Sequence, residues 1–218
     1  MITIFKFKKL LLISSTILIF AGCSSKNEVA EYNKPALYWY NKMIKQISNN
    51  DLDAADDTYT SLESEHRNSP LLETSLLILI NAHIDEEEYS LANFYLDEYS
   101  KRYSLSENID YTRFLKIKAN FLGFQYQLRD QELLENTISE IDNFKKRYYK
   151  SPYLPLVETM NSRLYMAKAS LDKEISELYT RVDKPEAAKI YAKKVEESWI
   201  NQKEIVPVKV PFFRSLFE

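Results

Sequence analysis

Three groups of side chains in this 218-residue chain are of types that do chemistry: a single cysteine at position 23, histidines at 66 and 83, and the acidic run Asp85-Glu86-Glu87-Glu88. The lone Cys23 cannot close an internal disulfide, and no second cysteine completes a zinc or redox motif. Neither histidine has the partner spacing of an HExxH-type site. His83 falls on an apolar helical face, where it reads as a hydrogen-bonded interface residue and not as a ligand. Carboxylates adjacent in sequence do not converge on one point, so 85–88 reads as a solvated corner at a helix N-terminus and not as a metal or acid–base centre. These residues predict no catalytic group, no metal and no cofactor, and a hydrolase of the cell wall is a remote alternative that His66 and His83 would have to carry.

Cys23 takes its meaning from what precedes it. Lys6, Lys8 and Lys9 form a basic segment, Leu10 to Phe20 an apolar one, and Ala21-Gly22 supply small residues before the thiol. This is the layout of a removable signal peptide, and the apolar segment is shorter than the roughly 20 residues a membrane-spanning helix requires. Phe20-Ala21-Gly22-Cys23 resembles the lipobox of bacterial lipoproteins, with Phe20 where leucine is usual; an ordinary secretory signal is the alternative. The resemblance implies cleavage before Cys23, covalent lipid on that thiol, and, with serine at position 24, sorting to the outer membrane facing the periplasm. Several acyl chains on one residue anchor a protein far more firmly than one chain does.

Composition bounds the remainder. Removing residues 1–22 removes three lysines and no acidic residue, so the net charge moves from −3 to −6, which argues against a nucleic-acid partner. Of two glycines only Gly123 stays in the mature chain, too few for Gly-loop phosphate sites or a turn-rich β fold.

Apolar spacing predicts helices in pairs. Leu37, Tyr40, Ile44 and Ile47 share one face; Leu52, Ala55, Tyr59 and Leu62 share the next, after a break at Asn49-Asn50-Asp51 that offers Asp51 as cap. Leu72, Leu76, Leu79 and His83 precede Tyr89, Ala92, Leu96, Tyr99 and Tyr103. Phe114, Phe121 and Phe124 precede Leu134, Ile138, Ile141 and Phe144. Leu52, Ala55 and Tyr59 recur as Tyr89, Ala92 and Leu96, each displaced by 37 residues. A period in the middle thirties with a small residue between large ones is the signature of tetratricopeptide-type hairpins. "HRNSP" (66–70) and "YYKSP" (148–152) end second helices with proline.

The fold predicted is all-α: a tetratricopeptide-like solenoid of four to five hairpins over 35–199, after a lipidated linker at 23–34. Leu156, Met160, Leu164, Ala167, Leu171, Ile175 and Leu178 keep helical spacing without a breaker, as one long helix or two. A further helix begins near Asp183, its candidate cap, with Pro185 in the first turn and Ala188, Tyr191, Val195 and Trp199 on its face. Pro207 and Pro211 predict an extended tail over 200–218, whose phenylalanines would cover the solenoid end or dock on a partner.

A lipobox followed by hairpins of this spacing resembles the BamD family of outer membrane protein assembly factor lipoproteins. "DYTRFLKIKANF" (110–121), "RDQ" (129–131), "RYYKSPY" (147–153) and "LDKEISELYTRVDKPEAAKIY" (171–191) carry the resemblance in order. Val182-Asp183 stands where the family commonly has Arg-Gly, and Tyr191 where an arginine often follows the paired alanines. The resemblance implies a scaffold that binds the barrel assembly protein through its POTRA domains and receives unfolded outer-membrane protein precursors, with accessory lipoproteins as further partners. Amino-terminal hairpins would receive the precursor and carboxy-terminal ones the machinery. Tyr32, Tyr38, Trp39, Tyr111 and Phe114 are the candidate precursor-peptide surface, with packing between the first repeats as the other reading. Lys189, Tyr191, Lys193 and Lys194 are the candidate partner-binding group. A tetratricopeptide lipoprotein serving as pilot or scaffold for a secretin, a pilus or peptidoglycan assembly is the rival function.

Overall fold

The computed structural model describes residues 31–124 and 131–198. By its internal contacts one unit begins at Pro35, and residues up to Lys34 belong to another; the following concerns the unit from Pro35. Among the described residues its elements are eight helices: α1 (Ala36–Ser48), α2 (Leu52–Glu65), α3 (Leu71–Asp85), α4 (Tyr89–Arg102), α5 (Ile109–Gly123), α6 (Gln131–Arg147), α7 (Leu154–Arg181) and α8 (Pro185–Glu197). Each helix packs on the next, α1 also on α3 and α5 also on α7, which is the pattern of stacked hairpins. Four hairpins result, and the run from Leu154 to Arg181 is one helix. The signal segment with Cys23 and the tail with Trp199 lie outside the described residues.

Three of the corners inside hairpins are built without glycine. Asn50, Glu87 and Asp183 stand at φ 59°, 63° and 54° after α1, α3 and α7. In each, the following N–H reaches back six residues' worth of chain: Asp51 to the Gln46 carbonyl at 3.0 Å, Glu88 to His83 at 2.8 Å, Lys184 to Tyr179 at 2.9 Å. This is the Schellman closure, which demands one left-handed residue and usually takes glycine. Asn50 and Asp183 tolerate that region; Glu87 holds it with more strain. Asp51 caps α2 as expected, accepting from the Ala54 N–H at 3.3 Å. Asp183 is the corner residue and not the cap of α8, whose N-cap is Lys184 with Pro185 following.

The corners between hairpins share a second device. Ser69, Ser106 and Ser151 donate their N–H to the carbonyls of His66, Tyr103 and Tyr148 at 2.8, 3.0 and 2.9 Å. Their hydroxyls accept from the N–H two residues on, Leu71, Asn108 and Tyr153, at 3.2 Å in every case. Such serine turns satisfy backbone groups that a helix end leaves open.

Ala55 and Ala92, the small residues of the repeat, are fully buried among Leu62, Leu72, Leu76, Leu79, Ile80 and Leu96. Each such aliphatic side chain contributes about 1.5–3 kcal/mol on burial. Two expected faces are rotated. In α1, Leu37 is exposed and the buried residues are Trp39 and Met43, because α1 meets α2 and α3 together and its wider side chains fill that junction. In α7, Leu156 and Leu178 are exposed: Val157 takes the inward position at one end, and near the other α8 is the helix that packs on it among the described residues.

Candidate functional site

His83 is where the chemistry-bearing side chains converge. Its ring is fully buried, with Nε2 at 2.9 Å from Asp56 Oδ1 and Nδ1 at 2.7 Å from Glu88 Oε2. Asp56 comes from α2 and Glu88 from the α3–α4 corner, so the imidazole joins two hairpins. Tyr95 of α4 stacks on the ring at 5.4 Å. Desolvation works against a proton on this ring, but the hydrogen bonds it donates to Asp56 and then Glu88 outweigh that and raise the pKa above the ordinary histidine value. Glu88, the N-cap residue of α4, therefore spends its carboxylate on His83 and makes no side-chain capping bond. A ring closed to solvent on every side can tie helices but cannot reach a substrate. His66, at the end of α2, lies 3.9 Å from Glu65 and is remote in sequence from that group. Among the described residues no three His, Cys, Asp or Glu side chains could hold a metal ion.

The aromatic candidates separate. Trp39 is 2% exposed and donates its indole N–H to Glu65 at 2.8 Å. Phe114 is buried and stacks on Tyr153 of the next hairpin at 4.9 Å. These two rings are core, which corrects the expectation that they offer contact area to a peptide; they sit where hairpins meet, and burial there returns more than exposure would. Tyr111 is partly buried and donates its hydroxyl to Asn81 at 2.9 Å, crossing from α5 to α3. Tyr38 is exposed in its own unit and Tyr32 in the other.

Lys189 and Lys193 are exposed and paired along α8 with Glu186 at 3.0 Å and Glu197 at 3.4 Å. Lys194 sits 4.5 Å from the centre of the Tyr191 ring, which packs at 5.8 Å against Tyr179 of α7. All four expected residues thus lie on one helix, three of them in a charged, solvent-facing row.

Other features were not marked in the sequence. A cleft of about 410 Å³ between α5 and α7 is lined by Phe121, Phe124, Leu164, Met166 and Ala167, with Arg163 at its edge. Polar ties run within and between hairpins: Tyr99 and Ser106 both donate to Glu73 Oε1 at 2.5 Å, and Asn93 donates to Asn120 of the next hairpin, which donates to Glu140 at 3.1 Å. Hydrogen bonds from Ser106 and then Tyr99 pull the Glu73 carboxyl down, while burial and the Glu73 charge push the Tyr99 phenol up to about 12.

With this geometry described, the comparison with known families is decisive. The model of YfiO, described as an outer membrane lipoprotein, matches residues 32–205. The chain belongs to this family. Among YfiO relatives, it is 36% identical over 214 residues to outer membrane protein assembly factor BamD of Helicobacter pylori, covering 97% of each chain. It is 24% identical over 189 residues to the protein of that name from Pasteurella multocida, covering 82% of this chain and 72% of the other. The tetratricopeptide-like repeat of the YfiO family is the fold seen in α1 to α8. None of the helices described is long and apolar enough to cross a membrane.

Proposed function

We propose that this chain is an outer-membrane lipoprotein that serves as a non-enzymatic scaffold in the assembly of outer-membrane β-barrel proteins. The observation that carries this reading is the match to an outer membrane protein assembly factor along 97% of both chains, so the likeness extends well beyond a few generic repeats. Lipid on Cys23 is the anchor, the mature chain faces the periplasm, and no other prosthetic group is needed. The hairpins hold a POTRA-bearing barrel assembly protein and unfolded precursors, with accessory lipoproteins joining them.

Within that reading the amino-terminal hairpins, with Tyr38 exposed and Tyr32 ahead of them in sequence, receive precursor. The exposed face of α8, with Lys189, Lys193 and Lys194, meets the assembly protein. Lys189 and Lys193, paired with Glu186 and Glu197 of their own helix, exchange partners at small cost, since such surface pairs are each worth about 0.3–0.5 kcal/mol.

The test is recovery of the native protein from gently solubilised outer membranes, followed by mass spectrometry. A POTRA-bearing barrel protein in near-equal amount supports the reading. A secretin, pilus or peptidoglycan-assembly component in its place overturns it in favour of a pilot or scaffold lipoprotein. Cys23→Ala should leave the chain out of the membrane fraction, and its retention there would sink the anchor. A truncation after residue 150 that still held the assembly protein would refute the division of labour along the chain.

A further inference from the structure

One cavity unites charge and apolar surface in a way that the scaffold reading does not use. It lies between α5 and α6, has a volume of about 400 Å³, and is lined by Arg113, Lys116, Arg147 and Glu140 above Ile117 and Phe144. The last two are each 2% exposed and form an apolar floor. Lys116 is already engaged by Asp97, and Glu140 accepts from Asn120 at 3.1 Å. Arg113 and Arg147 are held by no hydrogen bond or ion pair among the described residues. Two guanidinium groups from two helices, neither in a hydrogen bond or ion pair among the described residues, thus flank a small hollow on a chain whose net charge is −3.

We infer that this cavity is a docking site for an acidic segment of a partner protein, in which a Glu or Asp side chain enters between Arg113 and Arg147 and a neighbouring apolar side chain rests on Phe144 and Ile117. A guanidinium presents paired N–H donors that match a carboxylate in a bidentate fork. The volume falls within the range of ligand sites, about 300–1,000 Å³, and suits one or two side chains. Glu140 sets the charge of the occupant. Its carboxyl faces the same space, so a singly charged carboxylate is accepted between the two arginines, while a doubly charged phosphate meets repulsion from it. Burial raises the Glu140 pKa, and Lys116 and Arg113 counter that rise. An incoming anion that draws on Arg113 leaves Glu140 less well compensated, so binding should be accompanied by proton uptake at that residue.

This inference goes beyond the assembly reading and does not depend on it, because it concerns which chemistry the cavity takes and not which complex recruits the chain. The experiment uses the full mature chain and a fluorescently labelled peptide Leu-Glu-Phe-Asp-Leu, capped at both ends, against its amide counterpart Leu-Gln-Phe-Asn-Leu. Anisotropy titrations at low salt should show the acidic peptide binding at least about tenfold more tightly, as the loss of one charge-assisted fork predicts. Arg147→Gln, at an exposed position that the fold does not need, should weaken the acidic peptide by about tenfold and leave the amide one unchanged. Arg113→Gln should do the same, and calorimetry in buffers of different ionisation heat should detect the proton taken up. Equal binding of the two peptides, or an Arg147→Gln variant that binds like the parent, overturns the proposal. So does displacement of the acidic peptide by inorganic phosphate or by vesicles of anionic phospholipid at equal charge, which would make the cavity a phosphate or membrane site.

Discussion

Replacing His83 by leucine removes a ring that two carboxylates share. The leucine fills most of the ring's volume, so the loss is chiefly of two charge-assisted hydrogen bonds, each worth about 1.5–3 kcal/mol when intact. Side-chain exposure of 21% for Asp56 and 45% for Glu88 lets water recover part of that once the partner is gone. A net destabilisation of about 2–3 kcal/mol is therefore expected near neutral pH, below the 3–5 kcal/mol of a broken, fully buried pair. For a unit of this size that corresponds to a fall in Tm of about 5–10 °C.

The loss should depend on pH in a defined direction. Asp56 on α2, Glu88 at the α3–α4 corner and Tyr95 on α4 are the titratable groups facing the imidazole. Because hydrogen bonds to the two carboxylates outweigh desolvation, His83 binds its proton more tightly folded than unfolded. Its contribution is complete below the unfolded value of about 6.5 and is lost as pH rises through the folded one. A neutral ring donates from only one nitrogen and leaves the other carboxylate facing a lone pair. Urea titrations followed by circular dichroism, from about pH 6 to about pH 9, should show the parent losing stability with rising pH and the His83→Leu variant doing so far less. Parallel pH profiles for the two proteins, or an NMR titration placing His83 below 6.5, would refute the reasoning.

Three other changes follow from particular contacts. Glu87→Gly should raise stability by about 0.5–1 kcal/mol, because its φ of 63° is strained for glutamate and easy for glycine; Asn50→Gly should gain less, and thermal melts decide both. Glu73→Gln should flatten the acid limb of the stability profile. The Glu73 carboxyl is held low by Ser106 and Tyr99, so its contribution is present above the usual carboxylate range and is lost as pH falls through the folded value. Gly123→Ala should be neutral or stabilising by up to about 1 kcal/mol, since an added Cβ meets Tyr89 at an ordinary 3.4 Å; a clear loss of Tm would contradict that.

Periodicity located the helices because a 3.6-residue repeat of apolar side chains is a local property. Leu72, Leu76, Leu79 and His83, and likewise Leu134, Ile138, Ile141 and Phe144, are all buried as their spacing implied. The choice between neighbouring faces of α1 was not local. Leu37 and Trp39 are both apolar, and only the joint position of α2 and α3 decides that tryptophan turns inward. His83 could be assigned to an interface from its apolar surroundings, but its partner Asp56 lies 27 residues away, and no spacing rule couples a residue of one hairpin to the next. The Arg113–Arg147 cavity escaped notice for the same reason: each arginine looks like an ordinary helix-surface charge until α5 and α6 are laid side by side.

Those long-range polar ties are distributed unevenly, and that unevenness bears on function. From α2 to α6 the helices are joined, within and between hairpins, by Asp56–His83–Glu88, Glu63–Arg102, Glu73 with Tyr99 and Ser106, Asn81–Tyr111, and Asn93–Asn120–Glu140. On α8, Ala188 is the one buried residue among those described, and the Ser176 hydroxyl donating to the Ala188 carbonyl at 3.0 Å is its polar link to α7. In a stack whose stability is a sum of nearest-neighbour terms, the segment with least buried surface opens first. Hydrogen exchange of the isolated chain should therefore show α8 amides exchanging well before those of α3, whose face holds Leu72, Leu76, Leu79, Ile80 and His83 at 0% exposure. A partner that binds the Lys189–Lys194 face should slow exchange in α8 selectively, because it covers helix surface, such as Ile190, that the described residues leave exposed. Equal protection of α8 and α3 in the isolated chain would mean that α8 is already covered, and would leave its lysines no vacancy for the assembly protein to fill.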